Sequence, residues 1–231
     1  MKINRLTRVC SLSIIGLFIM VLSCSKKEKV IPKTVADIDG NIYQTVTIGT
    51  QVWLVENLKA TKYNDGTVIP LVTDNTGWII LTIPAYCWYD NDIANKDTYG
   101  ALYNWYTVQT RKLCPTGWHV PTDVEWTTLT TFLGGESVAG GKLKEAGTAH
   151  WTSPNTGATN ESGFTALPGG FRGAQGTFYY IGHWGEYWTS TSPFESVAYY
   201  RVIASDSSGV DNGKTNAVQR LCGESVRCLM N

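Results

Sequence analysis

Five oxygen-bearing side chains, Asp90, Asn91, Asp92, Asn95 and Asp97, fall within eight positions of one another. Hard cations such as calcium take roughly six to eight oxygen ligands from groups of this kind. The spacing is not that of an EF-hand loop, which needs a glycine and a bidentate glutamate at fixed places. The same residue types also cap their own turns. Calcium binding and turn chemistry are therefore both open readings of this cluster.

A second group is aromatic. Trp88, Tyr89, Trp184, Tyr187 and Trp188 could offer flat faces to sugar rings, since an indole supplies apolar area at low entropic cost. Tyr180, His183, Trp184 and Glu186 are the candidate ligand-binding residues, with a carboxylate available for sugar hydroxyls. Residues 173–185, punctuated by glycine, form the expected ligand-facing loop. The competing reading is that tryptophan fills the core of a domain with long loops.

Catalytic patterns are sparse. His119, His150 and His183 are scattered without metal-ligand spacing, and no Cys-x-x-Cys pair exists for zinc or thioredoxin chemistry. A serine nucleophile elbow is absent, and no two carboxylates are marked out as a hydrolytic pair. The expectation is a protein that is not an enzyme.

Lys2, Arg5 and Arg8 precede an uncharged, mostly apolar run from Val9 to Ser23. That run suits a signal peptide and is shorter than the ~20 residues of a spanning helix. It ends in Val21-Leu22-Ser23-Cys24, which resembles a bacterial lipobox with Cys24 as the lipidated residue. Residues 1–23 then read as a lipoprotein signal peptide, 24–35 as lipidated cysteine and tether, and 36–231 as one domain. Removing residues 1–23 takes away three basic residues and no acidic ones, leaving 16 Lys and Arg against 19 Asp and Glu. A slightly acidic chain without basic clusters has no electrostatic footprint for nucleic acid. The expected partners are a membrane, through the lipid anchor, and a glycan or surface protein.

Setting aside Cys10 and Cys24 leaves Cys87, Cys114, Cys222 and Cys228. In an exported chain four cysteines suggest two disulfides, with three connectivities open. The set we expect is Cys114–Cys228 with Cys87–Cys222.

The elements that must position these residues are short. Asn41 to Leu58 reads as a hairpin, with Ile42, Val46 and Ile48 before Gly49 and Val52 and Leu54 after it. Thr98 to Gln109 reads as a helix. Asp123 to Leu133 is the clearest helix, with a Thr122–Glu125 capping box, a buried stripe of Trp126, Leu129, Phe132 and Leu133, and a stop at Gly134. Tyr187–Ser192, Ala198–Ala204 and Ser225–Met230 read as strands. The fold class is α+β, with short antiparallel strands, two or so helices and long loops.

Six segments occur in order: Tyr43 to Asn57, Cys87-Trp-Tyr-Asp-Asn-Asp92, Tyr99-Gly-Ala-Leu-Tyr-Asn-Trp-Tyr106, Cys114 to Trp126, Gly163-Phe-Thr-Ala-Leu-Pro-Gly-Gly170 and Ser225-Val-Arg-Cys228. Together they resemble the Fibrobacter succinogenes major paralogous domain, a family of surface lipoproteins without a settled biochemical function. Val120-Pro-Thr-Asp-Val-Glu-Trp126 is also similar to a motif of formylglycine-generating-enzyme-type domains. Those similarities imply a C-type-lectin-like fold in which the N- and C-terminal strands pair. They make a cysteine near the C-terminus a natural partner for one in mid-chain, and they imply core positions for Trp88 and Trp188. Cys222 departs from the family pattern. Cys222 and Cys228 resemble the thiol pair of the formylglycine-generating enzymes, with a spacing one residue longer.

The reading that results is a non-catalytic lipoprotein of the outer membrane or cell surface, a binding or adhesion module for glycans or a surface protein. Two alternatives stand beside it: a structural subunit of an outer-membrane assembly, and a thiol or copper oxidase.

Overall fold

The computed structural model describes residues 31–212 and 218–231. The expected signal peptide and Cys24 lie outside the described residues. The folded unit runs from Ile31 to Asn231.

Strands β1 (Thr34–Ala36), β2 (Ile42–Ile48) and β3 (Gln51–Leu54) form an antiparallel meander. Thr34 and Val35, read from sequence as tether, are thus already part of the sheet. The β2–β3 turn is the expected hairpin, with Gly49 at φ 61°. Ile42, however, faces solvent, and Tyr43 takes the buried place because its hydroxyl donates to Asp37 at 2.7 Å.

Helix α1 (Asn75–Ile79) and strand β4 (Tyr86–Cys87) lead to helix α2 (Lys96–Tyr99), strand β5 (Leu102–Asn104) and helix α3 (Trp105–Val108). The single helix expected over Thr98–Gln109 is therefore broken in two. Gly100 sits at φ 76° with Asn57 and Leu58 so close that a Cβ would lie 2.8 Å from each. Beyond it the chain extends to pair with β4, and the Asn104 side chain then caps α3 by accepting from the Thr107 N–H at 3.1 Å.

After β6 (Trp118–His119) comes α4 (Asp123–Phe132). Its capping box is formed: the Glu125 N–H donates to Thr122 Oγ1 at 3.2 Å, and the Thr122 N–H donates to Glu125 Oε2 at 2.8 Å. Trp126, Leu129 and Leu133 are buried as expected, but Phe132 is 62% exposed, its ring lying over the Gly49 turn. Helix α5 (Glu136–Leu143) follows and was not expected. Its Gly140 and Gly141 read as helix breakers, yet they are what lets it pack. A Cβ on Gly140 would meet the Gly209 carbonyl oxygen at 2.0 Å, and one on Gly141 the Gly157 oxygen at 2.3 Å.

The remaining strands are β7 (Gly169–Arg172), β8 (Phe178–Ile181), β9 (Trp184–Trp188), β10 (Val197–Ala198) and β11 (Tyr200–Ala204). They are followed by β12 (Val210–Asp211), β13 (Val218–Gln219), β14 (Gly223–Glu224) and β15 (Leu229–Met230). The architecture is α+β. One sheet runs β1-β2-β3-β15-β6, so the C-terminal strand lies between an N-terminal strand and β6. The larger sheet runs β12-β11-β9-β7-β14-β5-β4, with β8 paired to β7. Cys114 and Cys228 are joined by a disulfide beside β15. It closes a loop of sequence separation 114, for which chain-entropy arguments give about 4–5 kcal/mol.

Candidate functional site

The side chains of β9 alternate, which puts Trp184, Glu186 and Trp188 on one face of the larger sheet. Across from them in register stand Ala204, Val202 and Tyr200 of β11. Trp188 is fully buried, whereas Trp184 is half-buried at the strand's outer end.

At that end four rings gather. Tyr180 and Trp184 stack with centroids 4.0 Å apart and planes 19° from parallel. Phe171 of β7 lies nearly parallel to Trp184 at 6.3 Å, and Tyr179 packs on Phe171 at 5.3 Å. Tyr180 is 47% exposed and holds φ 61°, a left-handed conformation that non-glycine residues seldom adopt. Backbone strain of this kind persists where the surroundings over-determine it, and here the ring is clamped on Trp184.

Beside these rings opens a cleft of about 480 Å³ bordered by Phe171, Gln175, Tyr179, Tyr180, Gln219 and Cys222. Among the described residues, none that lines it is charged. Gln175 Nε2 donates to the Tyr179 hydroxyl at 2.6 Å and so orients both groups. Trp184 also borders a second cleft of about 330 Å³, together with Tyr200, Asp206 and Asp211. The arrangement is an aromatic ledge between a cleft whose described lining is neutral and one that carries acidic residues.

Two of the four expected ligand-binding residues, Tyr180 and Trp184, meet at this ledge, and His183 is exposed in the adjoining turn. Glu186 requires a correction. It is 2% exposed and faces inward toward Glu224 rather than outward to a ligand. Glu224 is fully buried, and its two carboxylate oxygens accept from no donor among the described residues. Burial pushes the Glu186 carboxyl up to about 7. Burial, with the Glu186 charge added, pushes Glu224 well above the ordinary range. The two carboxyls are close enough to share a hydrogen bond once one of them carries the proton.

Phe171, Tyr179 and Glu224 escaped the sequence reading. The available signal was Phe171 and Phe178-Tyr-Tyr180 flanking Gln175-Gly176, an aromatic hairpin pattern.

The oxygen-rich segment is held by turn chemistry. Asp90 and Asn91 take left-handed φ values of 51° and 56°. Asp92 accepts from the Ala94 N–H, Asn95 donates to the Tyr89 carbonyl, and Asp97 pairs with Lys59 at 3.1 Å. Among the described residues no three His, Cys, Asp or Glu side chains are grouped as a metal would need.

The Cys87–Cys222 disulfide is also corrected. Both are free and buried, Cys87 packed with Trp78 and Leu102 and Cys222 in the main cluster with Trp88 and Trp188. Burial pushes the Cys87 thiol up to about 12 and that of Cys222 up to about 11, so both stay protonated. Cys228 is committed to Cys114, which leaves Cys222 no second thiol there. Trp88 and Trp188 are core residues, as the resemblance implied. No helix among the described residues is long and apolar enough to cross a membrane.

A family model described as the Fibrobacter succinogenes major domain matches residues 46–230, and the chain belongs to that family. Comparison with curated proteins and with solved structures gives no match.

Proposed function

We propose that this member of the family is a non-catalytic binding module that takes a neutral glycan on the Tyr180–Trp184 ledge. The observation that carries the reading is the parallel pair at 4.0 Å, whose Tyr180 borders a cleft that no charged described residue lines. An aromatic face supplies apolar contact to the C–H face of a sugar, while Gln175, Gln219 and the Tyr179 hydroxyl hydrogen-bond its hydroxyls. The finer fold we propose is C-type-lectin-like, supported by the antiparallel pairing of β15 with β3 at Leu229 and Trp53. Cys24 lipidation at the outer membrane or cell surface belongs to the same proposal and rests on the lipobox-like sequence.

A glycan array with the folded protein tests the reading. Hits among uncharged saccharides that disappear in Trp184→Ala support it, and an array without hits sinks the glycan version.

A second reading, a structural subunit of an outer-membrane assembly, draws on Val68, Leu71, Ile79, Ile80 and Ile83, all large, apolar and exposed. It predicts a stable complex in outer-membrane extracts that Ile80→Glu with Ile83→Glu dissolves. A monomer in native electrophoresis of such extracts argues against it.

A further inference from the structure

A cavity of about 520 Å³ lies beside α3 and shares no lining residue with either cleft at the aromatic ledge. Its floor is apolar: Trp105, Val108, Leu113 and Val120 line it, and all are buried. Part of its polar lining is already committed. The Thr122 hydroxyl belongs to the capping box, and the His119 ring nitrogens meet Glu125 at 3.0 Å and Asn231 at 2.6 Å. Three side chains keep uncommitted donors, one being the Gln109 amide nitrogen, since only Gln109 Oε1 is engaged, by Arg220 at 3.5 Å. The Arg111 guanidinium forms no ion pair or hydrogen bond with any described residue, and neither does the Ser190 hydroxyl. Among the described residues, no aspartate or glutamate lines the cavity.

The backbone adds a second indication. Arg111 sits at φ 59°, a conformation glycine adopts freely and other residues at a steric cost. What an arginine adds at that position is a guanidinium at the cavity edge.

We propose that this cavity is a binding site for a small organic acid, independent of the aromatic ledge. The apolar body of the acid lies against Trp105 and Val108. Its carboxylate takes a forked pair of hydrogen bonds from Arg111, with the Ser190 hydroxyl donating a further one. A guanidinium matches a carboxylate in planarity and spacing, and charge-assisted bonds of this type are roughly twice as strong as neutral ones. The volume falls within the roughly 300–1,000 Å³ of small-molecule sites.

Benzoate and its uncharged analogue benzamide are the probes, titrated into the protein while the Trp105 indole N–H signal is followed by NMR. Benzoate should shift that signal saturably and bind at least about tenfold more tightly than benzamide. Arg111→Gln, an exposed change that leaves the core intact, should bring benzoate down to the benzamide level, and Arg111→Lys should restore part of the difference. The proposal is overturned if benzoate causes no saturable shift at millimolar concentration. Equal binding of the two probes, or benzoate binding untouched by Arg111→Gln, overturns it equally.

Discussion

Arg227 and Asn57 are separated by 170 positions in the chain and joined by two hydrogen bonds, Nη2 to Oδ1 at 2.7 Å and Nε to Oδ1 at 3.2 Å. The same guanidinium donates to the Leu54, Val55 and Phe164 carbonyls and lies 4.3 Å over the Phe164 ring. Three of the six sequence segments, Tyr43–Asn57, Gly163–Gly170 and Ser225–Cys228, therefore meet at one buried cation. Its counterparts are carbonyl dipoles and a π face rather than a carboxylate.

Arg227→Met should destabilise the domain by about 3–5 kcal/mol, because several buried acceptors lose their donor at once. Urea unfolding of wild type and variant measures this. A loss under about 1 kcal/mol contradicts the central placing of Arg227.

Gly140→Ala sets two effects against each other. Helix propensity favours alanine by about 1 kcal/mol. The Gly209 carbonyl 2.0 Å from the new Cβ opposes it, and overpacking costs about 1–3 kcal/mol or more. The clash should win, with a lower melting temperature by calorimetry. An unchanged or raised melting temperature means that α5 does not pack on the Gly209 loop.

The same glycines explain why parts of the fold were illegible. The hairpin at Gly49 and helix α4 were readable because their signals are local: alternation about a turn, and a cap with its reciprocal partner. Helix α5 was hidden because its glycines answer to distant carbonyls at Gly209 and Gly157 rather than to helix propensity. The break at Gly100 likewise depends on Asn57 and Leu58, far away in sequence. At the candidate site, Trp184 and Tyr180 were legible as residues, but Phe171 joins them only because β7 lies beside β9. Glu186 was misassigned because its inward orientation depends on Glu224, which comes from another strand.

Cysteine chemistry gives a direct check. Non-reducing peptide mapping should find Cys114 linked to Cys228, with Cys87 and Cys222 alkylated only after denaturation. Replacing Cys114 and Cys228 together by serine should cost about 2–5 kcal/mol. A linked Cys87–Cys222 peptide would contradict the separate packing of those thiols.

The buried carboxyl pair predicts a pH dependence. Glu186 and Glu224 are both raised by burial, so the native state holds protons that the unfolded chain releases near pH ~4.3. The Glu186 contribution is full below that value and is lost as pH rises through about 7, and that of Glu224, raised well above the ordinary carboxylate range, is lost in the same direction. Over that window, each such proton lowers stability by roughly 1 kcal/mol per pH unit. Glu125, whose pKa is lowered, acts in the opposite direction and at lower pH. Denaturation between pH 5 and pH 8 should therefore show a decline that Glu224→Gln flattens. A profile unaffected by Glu224→Gln contradicts the buried pair.

The claim that the Tyr180–Trp184 ledge binds saccharide is tested most directly by titrating neutral oligosaccharides into the protein while following the Trp184 indole N–H by NMR. The account predicts a saturable shift at Trp184, with affinity reduced about tenfold or more in Tyr180→Ala. Saccharide binding that leaves the Trp184 signal unmoved, or that Tyr180→Ala does not weaken, would contradict it.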